Sequence, residues 1–296
     1  MRADFRYGVL MAAGVATTLL GQGVAHGHSE DRPLIRARAL GAVAPVKMFI
    51  ANGTVHLIGW DQDSIVIRGH LPDAAELHLT GTDTGGMKLI VEARHGESPV
   101  VADLVIYLPR RSQASLKSVD ASITVKDVSG WFYTVSGSIR VSGSASSVEA
   151  VAMTGNIDLE VTAPWVKAQT GQGHVLIRGA PQDVDASTIG GAVDIAAGSI
   201  LRGRFSSVTG DIRYAGAPAP RSLFEFSNHA GSVDFLLARD VSATFDLSSV
   251  TGDLANGFVQ VRPVALGSHG MRLHLGTGEA QVTVRTFKGT IRVRPQ

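Results

Sequence analysis

Residues 134–141 read TVSGSIRV, and the octet returns as AMTGNIDL at 152–159, TGQGHVLI at 170–177, TIGGAVDI at 188–195, SVTGDIRY at 207–214, NHAGSVDF at 228–235 and SVTGDLAN at 249–256. The shared glycine falls at Gly137, Gly155, Gly173, Gly191, Gly210, Gly231 and Gly252, with spacings of 18, 18, 18, 19, 21 and 21 residues. A period near 20 is the mark of units that stack on one another. Apolar residues stand two and four places after each glycine, as in Ile157/Leu159 and Val193/Ile195. Others stand seven and five places before it, as in Val148/Ala150 and Val184/Ala186. Both sets have the strand period of two. A small, mostly polar residue precedes the glycine by three, as at Thr170, Ser207 and Asn228. Each unit therefore reads as strand, tight corner, strand, second turn, with glycine expected at the corner for positive φ and close approach of the next unit.

The predicted fold class is all-β: a single-domain β-solenoid, β-helix-like, with about 18–21 residues per turn and a less regular N-terminal β cap. One such turn buries too few apolar side chains to order itself, so the units must stack. The expected organisation is residues 1–25 a signal peptide, 26–45 a flexible lead-in, 46–118 the cap and 119–296 the repeats. Arg2 and Arg6 precede an apolar run from Val9 to Leu20, and Gly23-Val24-Ala25 is a small-x-small cleavage site, with Ala25-His26-Gly27 competing. No other stretch is apolar and long enough to span a bilayer as a helix. Within the cap, Asn52-Gly53 reads as a turn and Trp60-Asp61-Gln62-Asp63-Ser64 as a loop. Ile123 and Val125 begin the regular array, Ala217-Pro218-Ala219-Pro220 lengthens one turn, and Gly270 and Gly289 continue the glycine series.

The absence of cysteine excludes disulfides, thiol chemistry, cysteine metal sites and a lipidated-cysteine anchor. Cleavage after Ala25 removes Arg2, Arg6 and Asp4 and leaves basic and acidic residues in balance, with no electrostatic case for nucleic acid or anionic membrane as partner. Gly-rich, Pro-poor composition fits a protein of many turns rather than a disordered one.

Asn52-Gly53-Thr54-Val55-His56-Leu57-Ile58-Gly59-Trp60-Asp61, with its Gly-Trp-Asp turn, and Ala102-Asp103-Leu104-Val105-Ile106-Tyr107-Leu108-Pro109 carry a family likeness. So do the corners of the type Ser207-Val208-Thr209-Gly210-Asp211-Ile212. Over roughly residues 46–296 the chain resembles the bacterial putative-adhesin family, a domain-of-unknown-function group of exported or envelope-associated β-solenoids. The resemblance implies a non-catalytic, adhesin-like interaction or structural module of the cell envelope, in the periplasm or at the cell surface. It carries over no catalytic residues and no cofactor.

Three places after the glycines, outward positions carry Arg140, Asp158, Asp194, Arg213 and Asp234, which stacking sets about 4.8 Å apart. They read either as a stripe that grips a protein or glycan, or as cross-strand charge pairs on a solvated face, with Arg213 between Asp194 and Asp234. A glycan-active lyase or hydrolase on a β-helix needs carboxylates gathered in a groove. Asp183 and Asp185 are the nearest approach, and turns this short leave little room for a cleft. A hexapeptide acyltransferase needs an aliphatic residue every sixth place, whereas positions 157, 163, 169, 175, 181 and 187 read Ile, Ala, Gln, Val, Pro and Ser. An envelope-stress sensor is a third possibility. Trp131 and Trp165 read as buried or half-buried caps near corners rather than as sugar platforms, and His56 and His174 as solvated. If cleavage follows Ala25, His26 and His28 with the free amine suit square-planar Cu(II) or Ni(II). The remaining expectations are no cofactor, no enzyme activity, and a monomer with an envelope protein or glycan as partner.

Overall fold

The computed structural model describes residues 32–94, 100–198 and 200–296, all strand, turn or irregular, with no helix among them. The strands form two large mixed sheets of 13 and 14 strands, called here A and B, neither closed into a barrel. Through the repeats the chain alternates between them. Ser147–Ala152 lies in sheet B and Ile157–Thr162 in sheet A, then Trp165–Thr170 in B and Val175–Gly179 in A. Each strand pairs in parallel with its equivalent one period on, so a B strand and the A strand after it make one rung.

The octet register is the register of the ladders. Ile123, Ile139, Ile157, Val175, Val193, Ile212 and Val233 are successive partners in sheet A, and each is at most 1% exposed. Sheet B faces them with Val148, Val166 and Val184 over Ala150, Ala168 and Ala186. Where the spacing lengthens, the filling turns aromatic: Phe205, Phe224, Phe226, Tyr214, Phe235 and Phe245 pack ring on ring at 4.8–6.3 Å. Burial pushes the Tyr214 phenol well above its ordinary value.

The corner motif has a definite chemistry. The Thr188 hydroxyl donates to the Gly173 carbonyl of the preceding rung at 3.2 Å and accepts from its own Gly191 N–H at 3.1 Å. Ser207 does the same with Gly191 and Gly210, and Asn228 with Gly210 and Gly231. A side chain holding both a donor and an acceptor is what the slot needs, which is why Asn can stand for Ser or Thr. The glycine itself is required by proximity. A Cβ at Gly191 would overlap the Gly173 carbonyl, and only Gly137 of the series has positive φ, at 117°. The expected left-handed corner therefore holds at one rung alone.

Both ends depart from chain order. Residues 46–60 lie between the rungs 86–109 and 113–126, and residues 280–295 lie between the rungs 223–237 and 243–256. Gly289 thus stacks on Gly231 and Gly252 on Gly289. Gly270 leaves the series altogether, since it starts an antiparallel strand, Gly270–Leu275, that covers Ala243–Ser249. Antiparallel strands also close the N-terminal end, Ser64–Leu71 and Arg32–Ala39 on sheet A and Ala75–Thr82 on sheet B.

Three local expectations are corrected. The part of the lead-in that is described is a strand, because Arg32–Ala39 finds an antiparallel partner and Leu40 and Ala44 are buried behind it. Arg38 of that strand reaches across to the Leu79 and Gly81 carbonyls of sheet B, at 3.1 and 3.3 Å. Asn52-Gly53 is not a turn: it opens the strand Asn52–Trp60 after the single corner residue Ala51. No break separates 118 from 119, since Asn52–Trp60 pairs in parallel with Asp120–Lys126. The Ala217-Pro218-Ala219-Pro220 segment lies between strands, as expected, with Pro218 buried.

The Gly-Trp-Asp turn has a structural role. Arg110 donates to Asp61 at 2.9 Å and to Asp127 at 2.7 Å, and Asp127 also accepts from the Ser144 N–H at 2.9 Å. Burial pushes the Asp127 carboxyl up, but the Ser144 N–H and the Arg110 guanidinium outweigh it and hold it below its ordinary value of 3.8. Four consecutive rungs are tied at their ends by this one cluster.

Candidate binding face

Alternation along each strand leaves two outward faces. On sheet A, Arg140, Asp158, Leu176, Asp194, Arg213, Asp234 and Arg292 are successive partners, so the expected stripe exists. Its charges are largely consumed by one another. Arg140 meets Asp158 at 3.4 Å, Arg178 meets Asp158 at 2.9 Å and His174 meets Asp194 at 3.1 Å. Arg213 pairs with Asp194 at 3.8 Å and with Asp211 at 3.2 Å. Asp234 pairs with Arg292 at 3.4 Å, not with Arg213, because the out-of-order C-terminal rung puts an arginine beside it. His174 accordingly has a carboxylate partner rather than only solvent.

Sheet B presents a different surface. Its central outward column runs Glu149, Lys167, Asp185, Arg204, Glu225, alternating in sign. Lys167 pairs with Glu149 at 3.0 Å and Arg204 with Glu225 at 3.5 Å. The adjacent column runs Trp165, Asp183, Arg202, Leu223, with Arg202 on Asp183 at 2.7 Å. Asp185, between Lys167 and Arg204 in the ladder, has no ion pair within 4 Å among the described residues.

A hollow of about 530 Å³ opens between these columns, lined by Trp165, Asp183, Asp185, Arg202, Arg204, Leu223 and Glu225. Trp165 is 38% exposed and Leu223 56%. The floor passes over Gly203, which takes the inward place held by Val148, Val166 and Val184 in the three preceding rungs. The rings of Phe205 and Phe224 fill the space its side chain would need. Trp165 stands partly exposed at the edge of the hollow, whereas Trp131 is half-buried and stacks on Tyr133 at 5.6 Å.

The hollow offers an aromatic face, an aliphatic contact and charges of both signs, a set suited to holding a polar chain. For hydrolysis it is poorly equipped: Asp183 is held by Arg202, and Asp183 and Asp185 share one strand instead of facing across a cleft. Among the described residues no three His, Asp or Glu gather as a metal site, and no helix is long and apolar enough to cross a membrane. His26 and His28 lie outside the described residues, as does the cleavage site.

No family model and no curated protein matches the sequence. Solved structures do match. A putative adhesin from Parabacteroides merdae is 8% identical, with 89% of this chain and 97% of that one covered, at a TM-score of 0.50. A putative adhesin from Bacteroides fragilis is 14% identical, covering 89% and 98% at 0.45. A putative lipid binding protein from Parabacteroides distasonis is 10% identical, covering 90% and 98% at 0.46. At such identities the likeness is one of fold. The resemblance read in the sequence holds at that level: this chain shares the all-β architecture of a bacterial protein named a putative adhesin.

Proposed function

We propose that the protein is an exported β-solenoid of the bacterial envelope that binds an extended partner, glycan or protein, without transforming it. The carrying observation is the outward face of sheet B, where a hollow combines Trp165, Leu223 and Asp185, which has no ion pair among the described residues, on a rigid ladder. A ladder held by main-chain bonds gives every outward side chain a fixed place, so binding needs little ordering of the protein. An extended chain laid across the rungs meets a repeat of contacts about 4.8 Å apart. The periplasm or the outer surface is the proposed location, in keeping with residues 1–25 read as a signal peptide.

A glycan array probed with the mature protein and with Trp165→Ala tests the reading. Binding to a defined glycan class that Trp165→Ala abolishes supports it. Reducing-end release by the wild type, lost on changing Asp183 or Asp185, would replace it with a glycan-active enzyme.

A further inference from the structure

The corner between each B strand and the following A strand carries a second feature, away from the hollow. The buried Thr, Ser or Asn of the corner motif ends the inward series, so alternation turns the next residue outward. That residue is Val135, Met153, Gly171, Ile189, Val208 and His229 on successive rungs, with Val119 before them and Phe287 and Val250 after. Main-chain bonds join the corners in that order, from Val135 N–H to Val119 C=O at 3.1 Å through Ala230 N–H to Val208 C=O at 2.8 Å. Among the described residues, seven of the seventeen exposed large apolar side chains fall in this one column, between 39% and 57% exposed. His229 lies flat on Phe287 at 5.1 Å.

The rung does not need an apolar group there, because the corner is already capped by the hydroxyl or amide beside it. The flanks are uncharged over the central rungs: Gln169, Ser187 and Ser206 on the sheet B side, Thr154, Gln172 and Thr209 on the other. Charge enters at the two ends, with Lys117 and Asp120 beside Val119 and Arg285 and Lys288 beside Phe287. The result is an apolar-crested edge, uncharged over its central rungs. Nine positions span roughly 40 Å at about 4.8 Å per rung. With its flanking columns the edge covers on the order of 700 Å² per molecule, near the roughly 800 Å² each partner gives to a standard interface.

We propose that this edge is a dimer interface for a second copy of the chain, related by a two-fold axis through Ile189 and running antiparallel. Ile189 is the middle position of the nine. About it, Gly171 faces Val208, Met153 faces His229, Val135 faces Phe287 and Val119 faces Val250, so small meets large next to the axis. The antiparallel sense follows from shape. It sets Gly171 against the partner's Val208 and leaves Arg285 and Lys288 against the partner's Tyr133 and Ser136, whereas a parallel pair would set Gly171 against its own copy and Arg285 against the partner's Lys288. This dimer stands in place of the monomer expected from the sequence. It leaves the sheet B hollow open on both copies.

The absence of cysteine permits a clean test on the full mature chain. Ile189→Cys, on the axis, should oxidise to a disulfide-linked dimer at least tenfold faster than Val250→Cys, whose copy lies at the far end. Sedimentation velocity of the wild type should show a concentration-dependent dimer, and Ile189→Lys, which opposes two cations on the axis, should weaken it at least 30-fold while circular dichroism stays unchanged. A wild type that remains monomeric at 100 µM (about the upper end of such a measurement) overturns the proposal. Equal cross-linking of Val250→Cys and Ile189→Cys overturns the antiparallel arrangement. Flotation with phosphatidylcholine vesicles, lost in Ile189→Lys, would assign the edge to a lipid surface instead.

Discussion

The rungs from residue 129 to 237 and the two ends of the stack are built from the same strand pairs, yet they obey different rules. In the middle, order in the sheet is order in the chain. At either end a rung is inserted out of turn, residues 46–60 inside 86–109 and residues 280–295 inside 243–256. A repeat can satisfy its main chain only by having a neighbour on each side, and the last repeat lacks one. Here the inserted segments 46–60 and 280–295 gain parallel partners on both edges, and antiparallel strands cover three of the four sheet ends, while Leu254–Asn256 ends sheet A on a single parallel partner. The middle is thus a matter of repetition, the ends a matter of closure.

The sharpest way to break this comparison is to remove the inserted rung. Ending the chain after Glu279 deletes both the Ala280–Thr286 and Ile291–Pro295 strands. Hydrogen exchange should then show lost protection over 223–256, while 123–162 keeps most of its own. Uniform loss along the chain would mean that the ends are not separate closures. Next in size is Ile157→Asp. The side chain is fully buried, and an unpaired charge there should cost more than about 4 kcal/mol, read as unfolding or a large fall in Tm. Its neighbour Asp158→Ala should cost only about 0.2–1 kcal/mol. Equal shifts would show that inward and outward faces are misassigned.

Corner substitutions sharpen the contrast further. Gly191→Ala forces a methyl onto the Gly173 carbonyl and should cost about 1–3 kcal/mol, whereas Gly267→Ala in the C-terminal loop meets no atom within 4 Å and is opposed only by its φ of 66°. Thr188→Val keeps the shape but leaves the Gly191 N–H without its acceptor, for about 1–3 kcal/mol by urea titration. The smallest expected effect is one of pH. Asp127 has a lowered carboxyl pKa when folded, so its contribution is present above the ordinary value of 3.8 and is lost as pH falls through that value toward the folded one. Between about pH 5 and 3 the wild type should lose more Tm than Asp127→Asn does. Parallel acid curves for the two would remove the cluster from the account of the N-terminal end.

Residue by residue, the sequence was most legible where the period was strict. Ile139, Ile157, Val175, Val193, Ile212 and Val233 could be aligned from their glycines alone, because a ladder in register must repeat side chains at the interval of one rung. Arg140, Asp158, Asp194, Arg213 and Asp234 share one ladder column as their spacing implies, but the partner of Asp234 could not be read, since Arg292 stands far along the chain. Gly270 imitated the spacing without the neighbours that give a corner its meaning. The sheet B hollow went unread. Trp165, Arg202 and Leu223 share a column through the register, but the period does not show that a space opens beside them.

By itself, then, the sequence determined the strand period, the inward columns and the need to stack, because these follow from local alternation and from a repeat too small to bury itself. The tertiary structure decided the order of the rungs at both ends, the partner of each outward charge and the exposure of the Val135–Ile189–Phe287 edge. Those depend on which segments meet across long stretches of chain. Parallel pairing is satisfied by any strand that brings the right register, whatever its distance in sequence.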